Sequence, residues 1–425
     1  MGPAFHWSTG RHPKRVTSLT LVVQKYGGTS VADLERIRHV ANRVAKAVRA
    51  GERVCVVLSA MAGETNKLVG WVMSLDAAGY DPAEYDMVVS SGEQVTVGLL
   101  AIALQSLGIP ARSFTGWQAG IRTDARHGKA RITGIDNGSV LAALEAGKVA
   151  VVAGFQGLAP EDRPATLGRG GSDTSAVALA AAIGAERCDI FTDVDGVYTS
   201  DPRIVAKARK LERITYEEML EMASLGAKVL QTRSVVLAMA HKVKVQVLSS
   251  FSDEPGTLVV DEDDIVEQQV VSGIAYSRDE SRLTVLGVRD RPGVAAAVFG
   301  PLAAAGINVD MIVQSVSRDG VNANMTFTVT HSDLDRAKAV LSEHQADIGF
   351  AEVLVDEDVS KVSVIGVGMR SHAGIAHTMF QTLADKGINI QAISTSEIKV
   401  SVLIDEAYTE LALRALHTAY GLDGA

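Results

Sequence analysis

The stretch LVVQKYGGTS at residues 21–30 decides the fold, because it joins a short apolar run to a pair of glycines. Apolar residues then recur at steps of three and four from Val31 to Val48, which is the period of a helix with one buried face. Ser30 and Asp33 stand where N-cap residues are preferred, and Gly51 stands where the helix would end. The sequence therefore predicts a strand, a glycine turn and a helix in direct succession.

The same alternation of strands and helices continues outward from this unit. Further apolar strands are predicted at 54–58, 149–155 and 188–192, and further helices at 93–107 and 172–183. Strands that are apolar throughout are typical of parallel sheets covered on both faces. We therefore predict an α/β fold over residues 19–260, in which a mostly parallel sheet is sandwiched by helices.

The rest of the chain repeats itself. The acidic run that opens residues 261–268 favours a solvated linker over a metal site. Beyond it, LTVLGV at 283–288 corresponds to VSVIGV at 362–367, and each copy continues with a predicted helix, Gly-Ile-Asn, two strands and a second helix. The length of the repeat does not favour a solenoid. We predict two small α+β sandwiches, at residues 269–346 and 347–425.

Composition limits the class of protein. The 425 residues carry 41 basic and 50 acidic side chains, a net charge of −9, which argues against nucleic-acid binding. Cys55 and Cys188 lie in apolar runs, as expected of buried thiols in a reducing compartment, so we expect a cytoplasmic protein. No apolar stretch reaches the roughly 18 residues that span a bilayer, so we expect no membrane partner. Residues 1–18 lack the apolar segment of a secretory signal and are predicted to be a disordered leader.

Lys25, Gly27 and Gly28 follow the first strand, at the edge where open α/β sheets bind ligands. Glycines there let main-chain N–H groups approach a phosphate, and the lysine adds a positive charge. A tight turn with a surface lysine is the alternative, because the spacing matches neither the P-loop nor the dinucleotide-binding pattern. The residues alone leave both hypotheses open.

A second candidate motif is TLGRGGSD at residues 166–173, which places an arginine between glycines just before a predicted helix. The Arg169 guanidinium suits a carboxylate or a phosphate, and Asp173 could be an N-cap, a site residue or both. Glu93 also opens a helix and could be only a favourable first-turn acid. The acidic turn at 193–204 lacks the final Glu of a calcium loop, and no cysteines or histidines show zinc spacing.

In this order, these motifs resemble those of the aspartate kinases of the amino acid kinase family. The matching segments are 25–30, 59–61, 91–93, 154–157, 166–173, 192–203, 226–230 and, in the second repeat, 394–398. The two repeats resemble the paired ACT domains of those enzymes, so the resemblance covers nearly the whole chain from residue 21. The loop at 59–66 departs from the family pattern by one extra residue.

The resemblance implies transfer of the ATP γ-phosphoryl group, with Mg²⁺, to the side-chain carboxylate of L-aspartate. The product would be 4-phospho-L-aspartate, at the first step of lysine, threonine and methionine biosynthesis. Lys25 would bridge the transferring group, and Asp173 would orient Lys25 and help to organise Mg²⁺. The residues implied to bind aspartate are Ser59, Thr65, Glu93 for its ammonium group, Arg169 for its α-carboxylate, Gly170, Gly171 and Ser172. The residues implied to bind ATP are Lys25, Tyr26, Gly27, Gly28, Ser59, Thr192, Asp193, Tyr198, Arg203 and Lys228.

The ACT repeats imply feedback inhibition by lysine, by threonine or by both in concert, and concerted action is our leading hypothesis. The residues implied to bind an effector are Asp290, Asn308, Val309, Asp310 and Gln314 in the first repeat, with Ala376, Asn389, Ile390, Ser396 and Glu397 in the second. A simpler interpretation makes the acidic ones ordinary turn and strand-end residues. Pairing of ACT domains implies a homo-oligomer, to which a shorter subunit made of the ACT region alone could be added.

Two rival hypotheses are considered, and only the second belongs to a different class of protein. One is a kinase of the same fold that acts on acetylglutamate, glutamate or a nucleotide, which the tandem repeats and the Ser91-Gly92-Glu93 motif disfavour. The other is a catalytically silent amino-acid sensor. The sensor would require loss of a catalytic group, yet Lys25, Arg169 and Asp173 are all present.

Overall fold

The computed structural model describes residues 20–75, 79–226, 229–265, 270–316 and 320–424. The chain forms two compact units. Over the described residues, unit 1 falls within 1–197, 210–223 and 228–266, and unit 2 within 198–209, 224–227 and 267–425. The predicted leader at 1–18 lies outside the described residues.

Unit 1 contains twelve strands and eight helices within its described residues. In chain order they are β1 (Leu21–Tyr26), α1 (Leu34–Arg49), β2 (Arg53–Leu58), α2 (Glu64–Leu75), α3 (Pro82–Val89), α4 (Ser91–Ser106), β3 (Ala111–Phe114), β4 (Ile121–Thr123), β5 (Ile132–Ile135), α5 (Gly138–Glu145), β6 (Val149–Ala153), β7 (Gln156–Leu158), β8 (Pro164–Thr166), α6 (Gly171–Ile183), β9 (Arg187–Thr192), β10 (Arg213–Thr215), α7 (Tyr216–Ser224), α8 (Thr232–His241), β11 (Val245–Ser249) and β12 (Thr257–Val260).

The main sheet has eight strands in the order β10-β12-β11-β9-β1-β2-β6-β3. Every neighbouring pair is parallel except β11 with β12, which confirms the predicted mostly parallel sheet. The apolar faces of α1 and α4 pack on β1, β2 and β6 in one buried cluster. β1 lies between β2 and β9, so its carboxyl end faces a crevice flanked by the ends of both neighbours. A smaller sheet has the order β5-β4-β7-β8.

The predicted elements of unit 1 are present with small shifts at their ends. The Asp33 carboxylate accepts a hydrogen bond from the Arg36 N–H at 2.8 Å and caps α1, as predicted. Ser30 does not cap that helix, because Gly28–Val31 form a separate 3-10 turn before it. At the end of α6, Gly184 adopts a φ of 64°, which explains the glycine there.

Among the described residues, one helical run has the length and the apolar composition that a membrane-spanning helix needs. It spans Pro82–Ser106, and half of its most apolar window is buried in the structure. Its second part, α4, carries core residues such as Leu100 and Leu104, both fully buried. A buried core helix passes the same test of length and composition.

Unit 2 contains two four-stranded antiparallel sheets with helices. Its elements are β13 (Gly273–Ser277), β14 (Ser281–Arg289), α9 (Val294–Ala304), β15 (Asp310–Val316), β16 (Asn322–Val329), α10 (His331–Glu343), α11 (Gln345–Ile348), β17 (Glu352–Asp356), β18 (Val359–Ile365), α12 (Ile375–Asp385), β19 (Ala392–Thr395), β20 (Lys399–Asp405) and α13 (Thr409–Ala419). The strand orders are β15-β16-β14-β17 and β13-β18-β20-β19, so the predicted pair of α+β folds is confirmed.

The predicted boundary between the repeats differs from the structure at both ends. β13 lies within the predicted first domain, 269–346, but pairs with β18 of the second fold, and β17 lies within the predicted second domain but pairs with β14 of the first. Each fold takes its fourth strand from outside the repeated segment, because an edge strand can pair without belonging to the repeat.

A second difference concerns residues 198–209, which were predicted to belong to the domain at 19–260. This segment belongs to unit 2. The Ile274 N–H donates to the Thr199 carbonyl at 2.8 Å, and the Thr199 hydroxyl lies 2.9 Å from Nε2 of the buried His417. Val205 joins the apolar core of the second ACT-like fold.

Candidate active site

A nearly buried ion pair marks the carboxyl end of β1. Lys25 on β1 places Nζ 2.6 Å from Oδ1 of Asp173, which lies in the first turn of α6. Their side chains are 11% and 10% exposed, so the two charges face each other with little water between them. The Lys25 ammonium group is the partner of this buried carboxylate oxygen among the described residues. The pair fixes one ammonium group at the crevice beside the glycine turn.

The glycine turn after β1 packs closely against the strands on either side of it. A Cβ on Gly28 would lie 3.0 Å from the Ala60 carbonyl oxygen, at the end of β2. The Ser30 hydroxyl lies 2.5 Å from the Ser250 hydroxyl, which donates to the Thr192 carbonyl at the end of β9. The turn is therefore held against both neighbouring strands of the sheet.

The predicted role of Tyr26 is limited to its main chain. The ring is fully buried and stacks on Phe191 with centroids 4.6 Å apart, and its hydroxyl donates to Gln24 Oε1. Burial raises the pKa of Tyr26 far above its ordinary value. The side chain belongs to the core and cannot contact a ligand in the crevice.

Glu93 is a buried carboxylate with one oxygen unused. It lies in the first turn of α4, is 2% exposed, and accepts the Ala60 N–H on Oε1 at 3.1 Å, while Oε2 is buried without a hydrogen bond. Burial raises the pKa of Glu93 to about 7, although the Ala60 N–H acts in the opposite direction. A Cβ on Gly92 would lie 2.8 Å from the Ala60 Cβ, so glycine is needed for this approach. The free oxygen suits a cationic ligand group.

The loop between β8 and α6 presents Arg169. Gly168 and Gly170 have φ angles of 76° and 71°, values that favour glycine. Arg169 is exposed and has no hydrogen-bond or ion-pair partner among the described residues. Gly171 and Ser172 begin α6, and a Cβ on Gly154 would lie 2.9 Å from the Ser172 Cβ.

Several of the predicted site residues lie close together in the structure, around Ala60 and the first turn of α6. Gly28 and Glu93 both meet Ala60, Lys25 meets Asp173, and Ser172 precedes Asp173 on the same helix turn. Ser59 follows β2 directly, and Thr65 lies half-buried in the first turn of α2. Thr192 ends β9, and its hydroxyl donates to the carboxylate of the next residue, Asp193, at 3.1 Å.

Three predicted nucleotide residues are not placed with this group. Tyr198 and Arg203 lie in the segment that belongs to unit 2, where Arg203 is 85% exposed and pairs with Asp201 at 2.7 Å. Lys228 lies outside the described residues. Sequence analysis missed Ser250, although it follows β11 on the same edge of the sheet and could have been found from that position.

In unit 2, two of the predicted effector residues line one cavity. Asp290 and Gln314 flank an open cavity of about 400 Å³ at the start of α9, and the Gln314 amide lies 3.5 Å from Asp290 Oδ1. Asp310 instead pairs with Lys361 at 2.8 Å and accepts the Met311 N–H. Asn308 is exposed and Val309 packs on the first ACT-like core.

The predicted effector residues of the second repeat are dispersed around its fold. Ala376 and Ile390 pack against its apolar core, and Asn389 and Ser396 are exposed. Glu397 lies 3.5 Å from the Arg370 guanidinium.

Comparison with known proteins identifies relatives over most of the chain. A model of the amino acid kinase family matches residues 20–249, and models of the ACT domain match residues 281–349 and 362–420. An aspartate kinase of Pseudomonas putida is 55% identical over 406 residues, which cover 95% of this chain and 98% of that protein. An aspartokinase of Mycolicibacterium smegmatis is 48% identical over 411 residues, or 96% of this chain and 97% of that protein.

A solved structure matches the fold over the same range. It is E. coli aspartokinase III in complex with aspartate and ADP, with a TM-score of 0.78, 29% identity, and coverage of 94% of this chain and 99% of that one.

Proposed function

Because the chain belongs to the aspartate kinases of the amino acid kinase family, we propose that it phosphorylates the side-chain carboxylate of L-aspartate and forms 4-phospho-L-aspartate. A carboxylate oxygen of aspartate attacks the γ-phosphorus of ATP, the bond from that phosphorus to the β-phosphate oxygen breaks, and ADP leaves. The aspartate carboxylate is ionised at neutral pH, so the reaction requires positioning and charge neutralisation more than a general base.

One observation carries the substrate assignment: Glu93 keeps a buried oxygen without a partner at the edge of the sheet that also holds the Lys25–Asp173 pair. A free α-amino acid brings an ammonium group that can fill such a position. Arg169, exposed and unpaired, offers the complementary guanidinium for its α-carboxylate. The E. coli relative, which was solved with aspartate and ADP, supports this choice of ligands.

The remaining residues act on the phosphates. Lys25 supplies a fixed positive charge for the transferring group, and Asp173 orients Lys25 through the 2.6 Å ion pair. Gly28 packs against the Ala60 carbonyl oxygen, and its main-chain N–H would face the phosphates, whereas the Gly27 N–H donates to the Phe191 carbonyl at 3.4 Å. Ser59, Thr192 and Asp193 lie at the ends of the two strands that flank β1 and complete the proposed nucleotide side.

The donor set fits a magnesium ion that arrives with the nucleotide. Among the described residues, no three His, Cys, Asp or Glu side chains form a group that could hold a metal by themselves. Mg²⁺ in kinases is usually held by one or two carboxylates together with phosphate oxygens, and Asp173 offers such a carboxylate. When bound there, the ion would neutralise phosphate charge.

We further propose that the ACT folds bind an amino-acid effector, lysine, threonine or both in concert. The cavity lined by Asp290 and Gln314 supports this, because a carboxylate and the N-terminus of α9 can hold the two charged groups of a free amino acid. A second structure of E. coli aspartokinase III was solved with lysine and aspartate. The reaction would open lysine, threonine and methionine biosynthesis in the cytoplasm, in a homo-oligomer paired through its ACT folds.

The test is an ADP-release assay with L-aspartate, L-glutamate and N-acetyl-L-glutamate, on the wild type, Arg169→Ala and Arg163→Ala. Arg163 is a matched control, since it precedes the loop and pairs with Glu84 on the surface. Of the three substrates, we expect only L-aspartate to support turnover. In Arg169→Ala, we expect the KM for aspartate to be at least about tenfold higher than in the wild type, because a charge-assisted pair is lost. Preference for another substrate, or equal behaviour of the two variants, would overturn the proposal.

A further inference from the structure

The loop that carries Arg169 is held from one side by Asp86, a carboxylate that sequence analysis did not single out. Asp86 lies on α3 and is fully buried. It accepts the Thr166 hydroxyl on Oδ1 at 2.5 Å, the Gly128 N–H at 3.0 and 3.1 Å, and lies 2.8 Å from His127 Nδ1. A buried carboxylate that accepts this many hydrogen bonds fixes the relative positions of its donors. Moving any one donor away would leave part of the buried negative charge without a partner.

Arg233 holds the same loop from the other side. It lies in the first turn of α8 and donates to the Leu167 carbonyl at 2.6 Å and to the Ala130 carbonyl at 3.0 Å. The Ala130 N–H in turn donates to the Thr166 carbonyl at 2.9 Å. Asp86 and Arg233 therefore clamp two adjacent segments, one at 127–130 and one at 166–167, to α3 and α8.

The glycines of the loop show how tightly it is confined. A Cβ on Gly168 would lie 3.1 Å from the Gly128 carbonyl oxygen, and a Cβ on Gly170 would overlap the side chain of Gln231, next to α8. Between these two packed glycines, Arg169 projects into solvent without a partner. An arginine on a free loop would lose much conformational entropy when it binds a ligand, and the clamp removes part of that cost in advance.

We propose that Asp86 and Arg233 are positioning residues that preorganise Arg169 for the α-carboxylate of the amino-acid substrate. This inference rests on the proposed function. Neither residue contacts the substrate: Asp86 holds the Gly128 N–H, the Thr166 hydroxyl and the His127 ring, Arg233 holds two main-chain carbonyls, and the effect reaches the ligand through Arg169. Loss of the clamp therefore weakens binding of the amino acid and leaves the nucleotide side, at β1 and β9, unaffected.

The experiment compares Thr166→Val with Thr166→Ser, and Asp86→Asn with Glu218→Gln. Valine removes the hydroxyl that donates to Asp86 with little change of shape, and serine keeps it. Glu218 is a matched control, because it is a buried carboxylate that accepts a main-chain N–H, from Thr215, away from the loop. For each variant, KM for aspartate, KM for ATP, kcat and the melting temperature are measured on the full chain.

We expect KM for aspartate to rise on the order of tenfold in Thr166→Val and Asp86→Asn, with KM for ATP and kcat within about twofold of wild type. Thr166→Ser and Glu218→Gln should keep the wild-type KM for aspartate. Arg233→Met should behave like Asp86→Asn, because its two carbonyl partners lose their donor.

A double-mutant cycle separates positioning from general stability. If Asp86 acts through Arg169, then Asp86→Asn adds no further rise of KM for aspartate in the Arg169→Ala background. Full additivity in that cycle, an unchanged KM for aspartate in Thr166→Val, or equal increases in both KM values overturns the inference. If Asp86→Asn does not fold, the Thr166 pair still decides. If the wild type itself does not use aspartate, the proposed function fails instead.

Discussion

The variant Glu93→Gln should show two effects of the buried Glu93 carboxylate separately. One is the loss of folding stability that comes from burying its charge, and the other is its contribution to aspartate binding. The folded-state pKa of Glu93 is raised from 4.5 to about 7 by burial, so the ionised form is disfavoured in the folded protein. When folding raises the pKa of an acid, the protonated group stabilises the folded state. This contribution to folding stability is complete below pH 4.5 and is lost as the pH rises to about 7. At 1.36 kcal/mol per pKa unit, the wild type loses about 2 kcal/mol between pH 5.5 and pH 8.5 on this account. The neutral glutamine loses none of it.

The assay has two parts. Calorimetric melting at pH 5.5 and pH 8.5 should show the advantage of Glu93→Gln growing by about 4–8 °C toward the higher pH, for a unit of this size. The kcat/KM for aspartate should rise with pH around 7 in the wild type, because only the carboxylate pairs with an ammonium group, and Glu93→Gln should have a lower and flatter profile. A wild-type profile that is flat between pH 6 and 8, or a variant that keeps the same rise, would refute the reasoning.

Three further outcomes are expected. Lys25→Met should lower kcat by about 10² to 10³, since a preorganised charge is lost, and should lower the melting temperature because Asp173 stays buried without its partner; a near-normal kcat would exclude the assigned role. Gly92→Ala should raise KM for aspartate, because the new methyl group lies 2.8 Å from the Ala60 Cβ and displaces the start of α4; steady-state kinetics at saturating ATP would show it. Gln314→Ala should leave kcat unchanged while inhibition by lysine or threonine shifts to higher concentration, and inhibition curves identical to wild type would contradict an effector site at this cavity.

The architecture of unit 1 could be predicted because its determinants are local. The helical period after β1, the Asp33 cap and the Gly184 terminus each act within a few residues, and all three are present in the structure. The carboxyl edge of the sheet could also be predicted, since parallel strands bring their ends together. Lys25 and Asp173 therefore meet as a site, although they are far apart in the sequence.

What could not be predicted depends on pairing between distant segments. β13 joins β18 across the whole first ACT-like fold, and no feature of the GIAYS strand indicates which sheet it completes. Tyr26 lies in a strand that is buried on both faces, so alternation could not show that its ring stacks on Phe191 rather than facing a ligand. Asp86 looks like an ordinary helix acid in the sequence, and its role becomes visible only when Gly128 and Thr166 are beside it.

The identity of the product tests the central claim most directly. The protein is incubated with ATP, Mg²⁺, L-aspartate and hydroxylamine, which converts an acyl phosphate into a hydroxamate, and the products are separated by chromatography. We predict the hydroxamate of the aspartate side chain, formed in amounts equal to ADP and absent when L-glutamate replaces L-aspartate. Formation of ADP without a hydroxamate, or a hydroxamate on the α-carboxylate, would contradict the account.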